Sequence, residues 1–292
     1  MLWVVSMMAV ATAAAVSDAR RFTDASSSRD LLLAAHWELR GCLAVVRAEL
    51  HVALRDGASL EAAVRRVADG RGAPTLRAAR TCDVSFQPGG VSLPHDLQDE
   101  FALATYFNVL GYGSRSVDFR DALLDWTDTD ERPRARGAER SWYRRAGRVG
   151  PRNAAAASVA ELRLVAGLEL LPDSVLEGLI ARDAYVSLNH APQAVIEALP
   201  GIGPRLAARV VARRLSGRPL RSALELEELV APQEREELER AWPALLAVAV
   251  AAPESWLIRM RIPGVGGRAD VQASARVVLS GHGTHVLEWV PE

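Results

Sequence analysis

Asp125, Asp128, Asp130 and Glu131 crowd the run Asp125-Trp126-Thr127-Asp128-Thr129-Asp130-Glu131, and Gly137-Ala138-Glu139 lies just beyond. Carboxylates that alternate along a loop are how proteins gather hard oxygen ligands around calcium, which takes about six to eight of them. The spacing is not that of an EF-hand, because there is no glycine at the sixth loop position and no glutamate at the twelfth. A solvated acidic turn is the competing reading. Arg132, Arg134, Arg136 and Arg140 share the loop and can neutralise the carboxylates themselves.

A second pattern is Leu188-Asn189-His190-Ala191-Pro192, then Val195 to Pro204, then a helix from Leu206 to Arg214. Two short helices joined by Leu199-Pro200-Gly201-Ile202-Gly203 read as a helix-hairpin-helix, whose glycines allow the tight turn. Free backbone N–H groups at the start of the second helix can hold a phosphate. Arg205, Arg209, Arg213 and Arg214 follow on that helix, so sequence-independent DNA binding is one reading and simple helix packing the other. The glutamate-rich stretch from Ala223 to Arg240, with seven glutamates against two arginines, weighs against DNA. Glu131 to Arg152 carries the opposite sign, eight arginines against two glutamates, with Trp142 and Tyr143 among them. Anionic lipid, nucleic acid, the glutamate-rich stretch or a partner are its candidate counterparts.

Enzymatic signals are few. His282 and His285 stand in a glycine-rich turn without a third ligand, and no Gly-x-Ser-x-Gly elbow, Walker loop or His-Glu-x-x-His occurs.

The elements that must carry these residues follow from hydrophobic period. Leu31, Leu32, Ala35, Leu39, Leu43, Val46, Leu50 and Leu54 recur at helical spacing, which predicts one long helix from the N-terminus to about Arg55, with a kink expected at Ser26-Ser27-Ser28. A short helix from Leu60 to Ala68 follows. Cys82, Val84 and Phe86 alternate before Pro88-Gly89-Gly90, predicting a hairpin with Val91-Ser92-Leu93 as its second arm. From about Asp96 to Ala247 the pattern is helical, in at least six segments. Strands return over 256–262, 269–279 and 285–290, with turns at 263–267 and 281–283. A helical block interrupting a sheet is an α+β arrangement. The expected domains are 1–95, an inserted α-helical domain 96–250, and 251–292.

The chain has 292 residues, 35 basic and 36 acidic, with no lysine, so a protein that holds nucleic acid by global charge is excluded. Two cysteines, Cys42 and Cys82, cannot build a zinc ribbon or an iron–sulfur site. They are either buried apolar residues or, in an oxidising compartment, one disulfide. Met1 to Val16 contains no charge, yet sixteen helical residues reach about 24 Å, short of the roughly 30 Å hydrocarbon core. A longer span that begins upstream of Met1 is the expectation; a cleavable signal peptide and a buried helix are the alternatives.

The run from Leu124 to Asp130, Gly137-Ala138-Glu139, Trp142-Tyr143, Asn153, Ser158-Val159-x-Glu161-Leu162-Arg163-Leu164-Val165-x-Gly167, Leu188-Asn189-x-Ala191-Pro192 and Leu199-Pro200-Gly201-Ile202-Gly203 together resemble the minor pseudopilin K family of type II secretion systems. The resemblance covers roughly residues 121 to 215. It implies a pilin-like fold, a long N-terminal α-helix packed on an antiparallel β-sheet with a large all-α domain inserted between strands. It also implies a non-enzymatic subunit at the tip of the pseudopilus. Such a subunit joins minor pseudopilins I and J through its N-terminal helix, with H and the major pseudopilin G as further neighbours, and a prepilin peptidase processes it. The implied location is the bacterial inner membrane, with a single N-terminal helix and a periplasmic globular domain. Calcium is the implied cofactor, with Asp128, Asp130 and Glu139 as its ligands, although Arg140 and Ser141 stand where the family continues with acids. The family also lacks the early glutamate of major pseudopilins, and here no acid precedes Asp18. A tip subunit has no amine above it to neutralise, and an unpaired carboxylate in lipid would cost several kcal/mol. The alternative from another class is a membrane-anchored helix-hairpin-helix DNA-binding protein that uses Arg205 and Arg209.

Overall fold

Apolar side chains three and four residues apart give the first helix its buried edge: Leu39, Leu43, Val46, Leu50 and Ala53 are all buried. That helix, α1 (Leu2–Arg55), runs without interruption through Ser26-Ser27-Ser28. In the computed structural model the described residues are 2–71, 81–264, 270–280 and 283–291; side chains are described from residue 29 to 278 and from 284 to 290. The chain divides into two compact units, residues 1–87 with 257–292, and residues 88–256. Their boundaries fall at 87/88 and 256/257, against the 95/96 and 250/251 read from the hydrophobic pattern.

The strands among the described residues are β1 (Asp83–Pro88), β2 (Val186–Ser187), β3 (Ala249–Val250), β4 (Ser255–Ile262), β5 (Val271–Ser280) and β6 (Gly283–Pro291). In the first unit, α2 (Leu60–Ala68) starts where the Ser59 hydroxyl accepts the Ala62 N–H at 3.3 Å. It stops at Gly70, whose φ of 67° reverses the chain so that Arg71 N–H reaches Arg66 O. A four-stranded sheet has the order β1-β4-β5-β6, with β5 and β6 antiparallel. Helix α1 lies against β5 and β6, and its Arg47 donates to the Thr284 hydroxyl at 3.1 Å and carbonyl at 2.7 Å. Ile258, Met260, Ala273, Ala275 and Val277 are among the buried residues of the sheet. Cys42 of α1 and Cys82 are joined in a disulfide with Cα atoms 6.3 Å apart. Sequence left that pairing open.

The hairpin expected at 82–93 does not form. β1 pairs with β4 instead, because the groups after the glycine turn find partners elsewhere: Gly89 N–H reaches Ser255 O at 2.8 Å, and Gly90 O and Leu93 N–H bond to Ser187 N and Gly178 O. The turns at 263–267 and 281–283 lie largely outside the described residues, as does His282. No helix among the described residues is long and apolar enough to cross a membrane. The apolar run 1–16, on which the membrane-helix reading rests, has its side chains outside them.

The second unit is helical: α3 (Glu100–Val109), α4 (Ser116–Thr127), α5 (Arg140–Arg145), α6 (Val159–Leu162), α7 (Asp173–Glu177), α8 (Gln193–Glu197), α9 (Pro204–Leu215), α10 (Leu226–Leu229) and α11 (Arg235–Val248). Helical periodicity hides one departure, the short parallel pair of β2 and β3, with Val186 opposite Ala249 and Ser187 opposite Val250. The core gathers Phe107, Phe119, Trp126 and Tyr143 with leucines from most of the helices. Trp126 meets Tyr143 edge to face at 5.2 Å, which sets α5 against the end of α4.

Candidate functional site

Asp125 lies in the last turn of α4 and Asp128 immediately follows that helix, so their carboxylates share one face at i and i+3. The chain then loops out and returns through Gly137-Ala138-Glu139. Gly137 passes so close that a Cβ there would sit 1.9 Å from Asp125 Oδ2, which is why glycine precedes this return. Glu139 ends up at the start of α5, but its side chain does not cap the helix. One oxygen each from Asp125, Asp128 and Glu139 come within 4.8 Å of one another.

Arg134 is the cation of this cluster. Its backbone N–H donates to Asp125 Oδ2 at 3.1 Å, and its Nη1 donates to Asp125 Oδ1 at 2.8 Å and Asp128 Oδ2 at 2.5 Å. One guanidinium therefore faces three carboxylates, and it leaves three buried oxygens without a hydrogen bond: Asp128 Oδ1 and both oxygens of Glu139. Burial, followed by the charges of Asp125, Asp128 and Glu131, pushes the Glu139 carboxyl up to about 7. The Arg140 backbone N–H offsets this only slightly, since it does not reach hydrogen-bond geometry. Burial also raises the Asp125 carboxyl, against the pull of Arg134. The arrangement is a buried site short of positive charge, with oxygen atoms free to take it up.

Two of the three ligands read from sequence, Asp128 and Glu139, thus stand together, and the third does not. Asp130 is exposed and caps its own turn, accepting the Arg132 N–H at 2.7 Å. Asp125 takes its place in the cluster. The signal available in sequence was the i, i+3 spacing of Asp125 and Asp128 on one helix, which outranks alternation along a loop once the helix extends to Thr127.

The helices α8 and α9 do meet through the Leu199–Gly203 turn, but its apex faces inward. Gly201 has φ +71°, and a Cβ there would lie 2.6 Å from Ala241 Cβ on α11. The arginines that follow are engaged within the protein. Arg209 pairs with Glu234, Arg213 with Glu225 and Glu228, and Arg214 donates to the carbonyls of Leu188 and Ala191. Only Arg205 of the four stands exposed without such a partner among the described residues. Asn189 closes the motif by bridging both backbone groups of Leu220. The phosphate-binding reading loses its cations, and the packing reading explains each residue.

Among the described residues the basic run 131–152 makes no ion pair with the glutamate-rich stretch. Its arginines pair with nearer acids: Arg136 with Asp118, Arg140 with Glu131, Arg148 with Glu169 and Arg152 with Glu161.

A different surface lies on α1. Its apolar stripe changes environment along its length: Leu39 is 0% exposed, whereas Leu31, Leu32, Leu33 and Trp37 are 44%, 50%, 58% and 69% exposed. The first unit buries the C-terminal half of the stripe, and among the described residues nothing covers this part.

Comparison with known proteins places these features in context. Residues 97–174 match the family described as type II secretion system (T2SS), protein K. Among solved structures, a chain from the crystal structure of the GspK–GspI–GspJ complex of the enterotoxigenic Escherichia coli type 2 secretion system is similar in fold. The TM-score is 0.62 at 16% identity, covering 91% of this chain and 99% of that one. No curated protein matches the sequence.

Proposed function

We propose that this chain is a member of the type II secretion protein K family, whose model its residues 97–174 match, and a structural subunit at the tip of the pseudopilus that assembles with other minor pseudopilins. The observation that carries this reading is the uncovered apolar segment of α1. At about 25 cal/mol per Å² of apolar surface, side chains such as Leu31, Leu32, Leu33 and Trp37 gain most by burial, and other helices of the same kind are what would bury them. Proteins I and J, partners of protein K in the solved complex, fill that role here, joined through α1, with H and the major pseudopilin G as further neighbours.

The rest of the reading follows from it. The fold is pilin-like, with the largely helical unit inserted in the chain between β1 and β4. The subunit lies in the periplasm, anchored in the inner membrane through residues near its N-terminus after processing by a prepilin peptidase. The Cys42–Cys82 disulfide supports an oxidising compartment, since such bridges are rare where glutathione and thioredoxin keep thiols reduced. The role is non-enzymatic.

Calcium fits the acidic cluster. Three orphaned carboxylate oxygens from Asp128 and Glu139, beside Asp125, suit a hard cation that takes oxygen ligands. Bound there it would supply the missing positive charge and tie the loop 128–139 to the ends of α4 and α5. Arg134 holds the other oxygens of Asp125 and Asp128, which orients the pair toward Glu139.

Co-purification tests the assembly. The chain should be retained by tagged I and J subunits from the same secretion system, and a variant carrying Leu31→Ser, Leu32→Ser and Trp37→Ser should lose that retention with an unchanged melting temperature. A folded wild-type chain that ignores both subunits would refute the proposal.

A further inference from the structure

We propose that a recess between α10 and α11 is a socket for an arginine or lysine side chain presented by another polypeptide. The recess has a volume of about 160 Å³ and is lined by Glu227, Val230, Arg235, Leu238, Glu239 and Trp242. That volume suits a single long side chain. Val230 and Leu238 are buried and Trp242 half-buried, so the floor is apolar and one wall aromatic. An aliphatic stem can lie on the floor while its charged head reaches the rim. An indole is the best of the aromatic faces for a cation.

The charge of the rim selects the occupant. Of the seven glutamates between 223 and 240, three are neutralised within the protein by α9 and its neighbour: Glu225 by Arg213 and Arg221, Glu228 by Arg213 and Glu234 by Arg209. Glu236 pairs with Arg240. Glu227, Glu237 and Glu239 remain without an ion-pair partner among the described residues, and two of these three stand on the rim of the recess. The unneutralised part of the acidic run is therefore concentrated where the apolar floor is open. An anion would meet two carboxylates here, and a purely apolar side chain would leave them unused.

Arg235 is the one cation of the rim, and it has no ion pair among the described residues. It stands where it competes with an incoming basic group. That gives the socket a property that a merely structural acidic surface lacks, because removing a positive charge should strengthen binding of a positively charged probe.

The test uses the full chain, uniformly labelled with ¹⁵N, and the peptide N-acetyl-Gly-Arg-Gly-amide. The Trp242 indole resonance, identified by its loss in Trp242→Phe, should move on titration. The citrulline peptide, equal in shape but neutral, should bind about 5-fold more weakly or worse. Glu227→Gln with Glu239→Gln should weaken the arginine peptide about 10-fold, and Arg235→Ala should strengthen it about 3-fold, each with an unchanged circular dichroism spectrum. The proposal is overturned if the Trp242 resonance stays fixed to about 20 mM peptide, if citrulline matches arginine, or if Arg235→Ala weakens binding. The outcome is independent of whether I and J subunits bind α1.

Discussion

Glu139 makes stability depend on pH in a direction opposite to that of an ordinary salt-bridged acid. Its carboxyl moves from the usual 4.5 in the unfolded chain to about 7 in the folded one, so between these values the folded state holds a proton that the unfolded state has lost. Stability must then fall as pH rises from about 4.5 through about 7, and the full penalty persists above that. The shift corresponds to about 3 kcal/mol. The side chain is only 2% exposed, so solvent screening does not remove this. Urea unfolding of the chain in EDTA at pH 5 and pH 8 should show it, as a midpoint lower by about 1 M at the higher pH. Other groups titrate over the same range, and comparison with Glu139→Gln isolates the effect: the variant should lack this part of the slope and be the more stable protein at pH 8. Millimolar calcium should raise the wild type at pH 8 and leave the variant nearly unmoved. Wild type and variant that track each other across the range in EDTA would refute the account of an unpaired buried carboxylate.

The disulfide closes a loop with a sequence separation of 40, and replacing Cys42 and Cys82 by serine should destabilise the first unit by about 4 kcal/mol, read as a lowered urea midpoint that reductant no longer shifts. Gly137→Ala and Gly201→Ala should each cost about 2 kcal/mol or more in the same assay, the first by driving a methyl group into Asp125 and the second by combining φ +71° with a clash on Ala241.

Much of the local structure was legible because its causes are local. The end of α2 follows from Gly70, and the stripe from Leu39 to Leu50 places α1. The last three strands follow from alternating patterns, each close to its observed limits. The acidic site was half legible. Asp128 and Glu139 come from their residue types, whereas Asp125 becomes a member because α4 continues to Thr127 and carries it round to the same face. The hairpin failed for a complementary reason. Val91-Ser92-Leu93 has a strand-like pattern, but Gly90 and Leu93 meet backbone groups of Ser187 and Gly178, far along the chain.

By itself the amino-acid order determined the periodicities, the helix stops, the balance of charge and the order of motifs that resembles the protein K family. Tertiary structure decided which cation answers which anion. Eight arginines between 131 and 152 and seven glutamates between 223 and 240 are equivalent on paper. The folding of one loop picks Arg134 out of its four arginines for Asp125, and the packing of separate helices assigns Arg209 and Arg213 to the acidic stretch. It also decided how far along α1 the stripe is covered, because burial depends on where β5 and β6 lie against the helix and not on the residues of the helix alone. Pairing energies fall off within a few ångströms, and that proximity is a property of the folded chain.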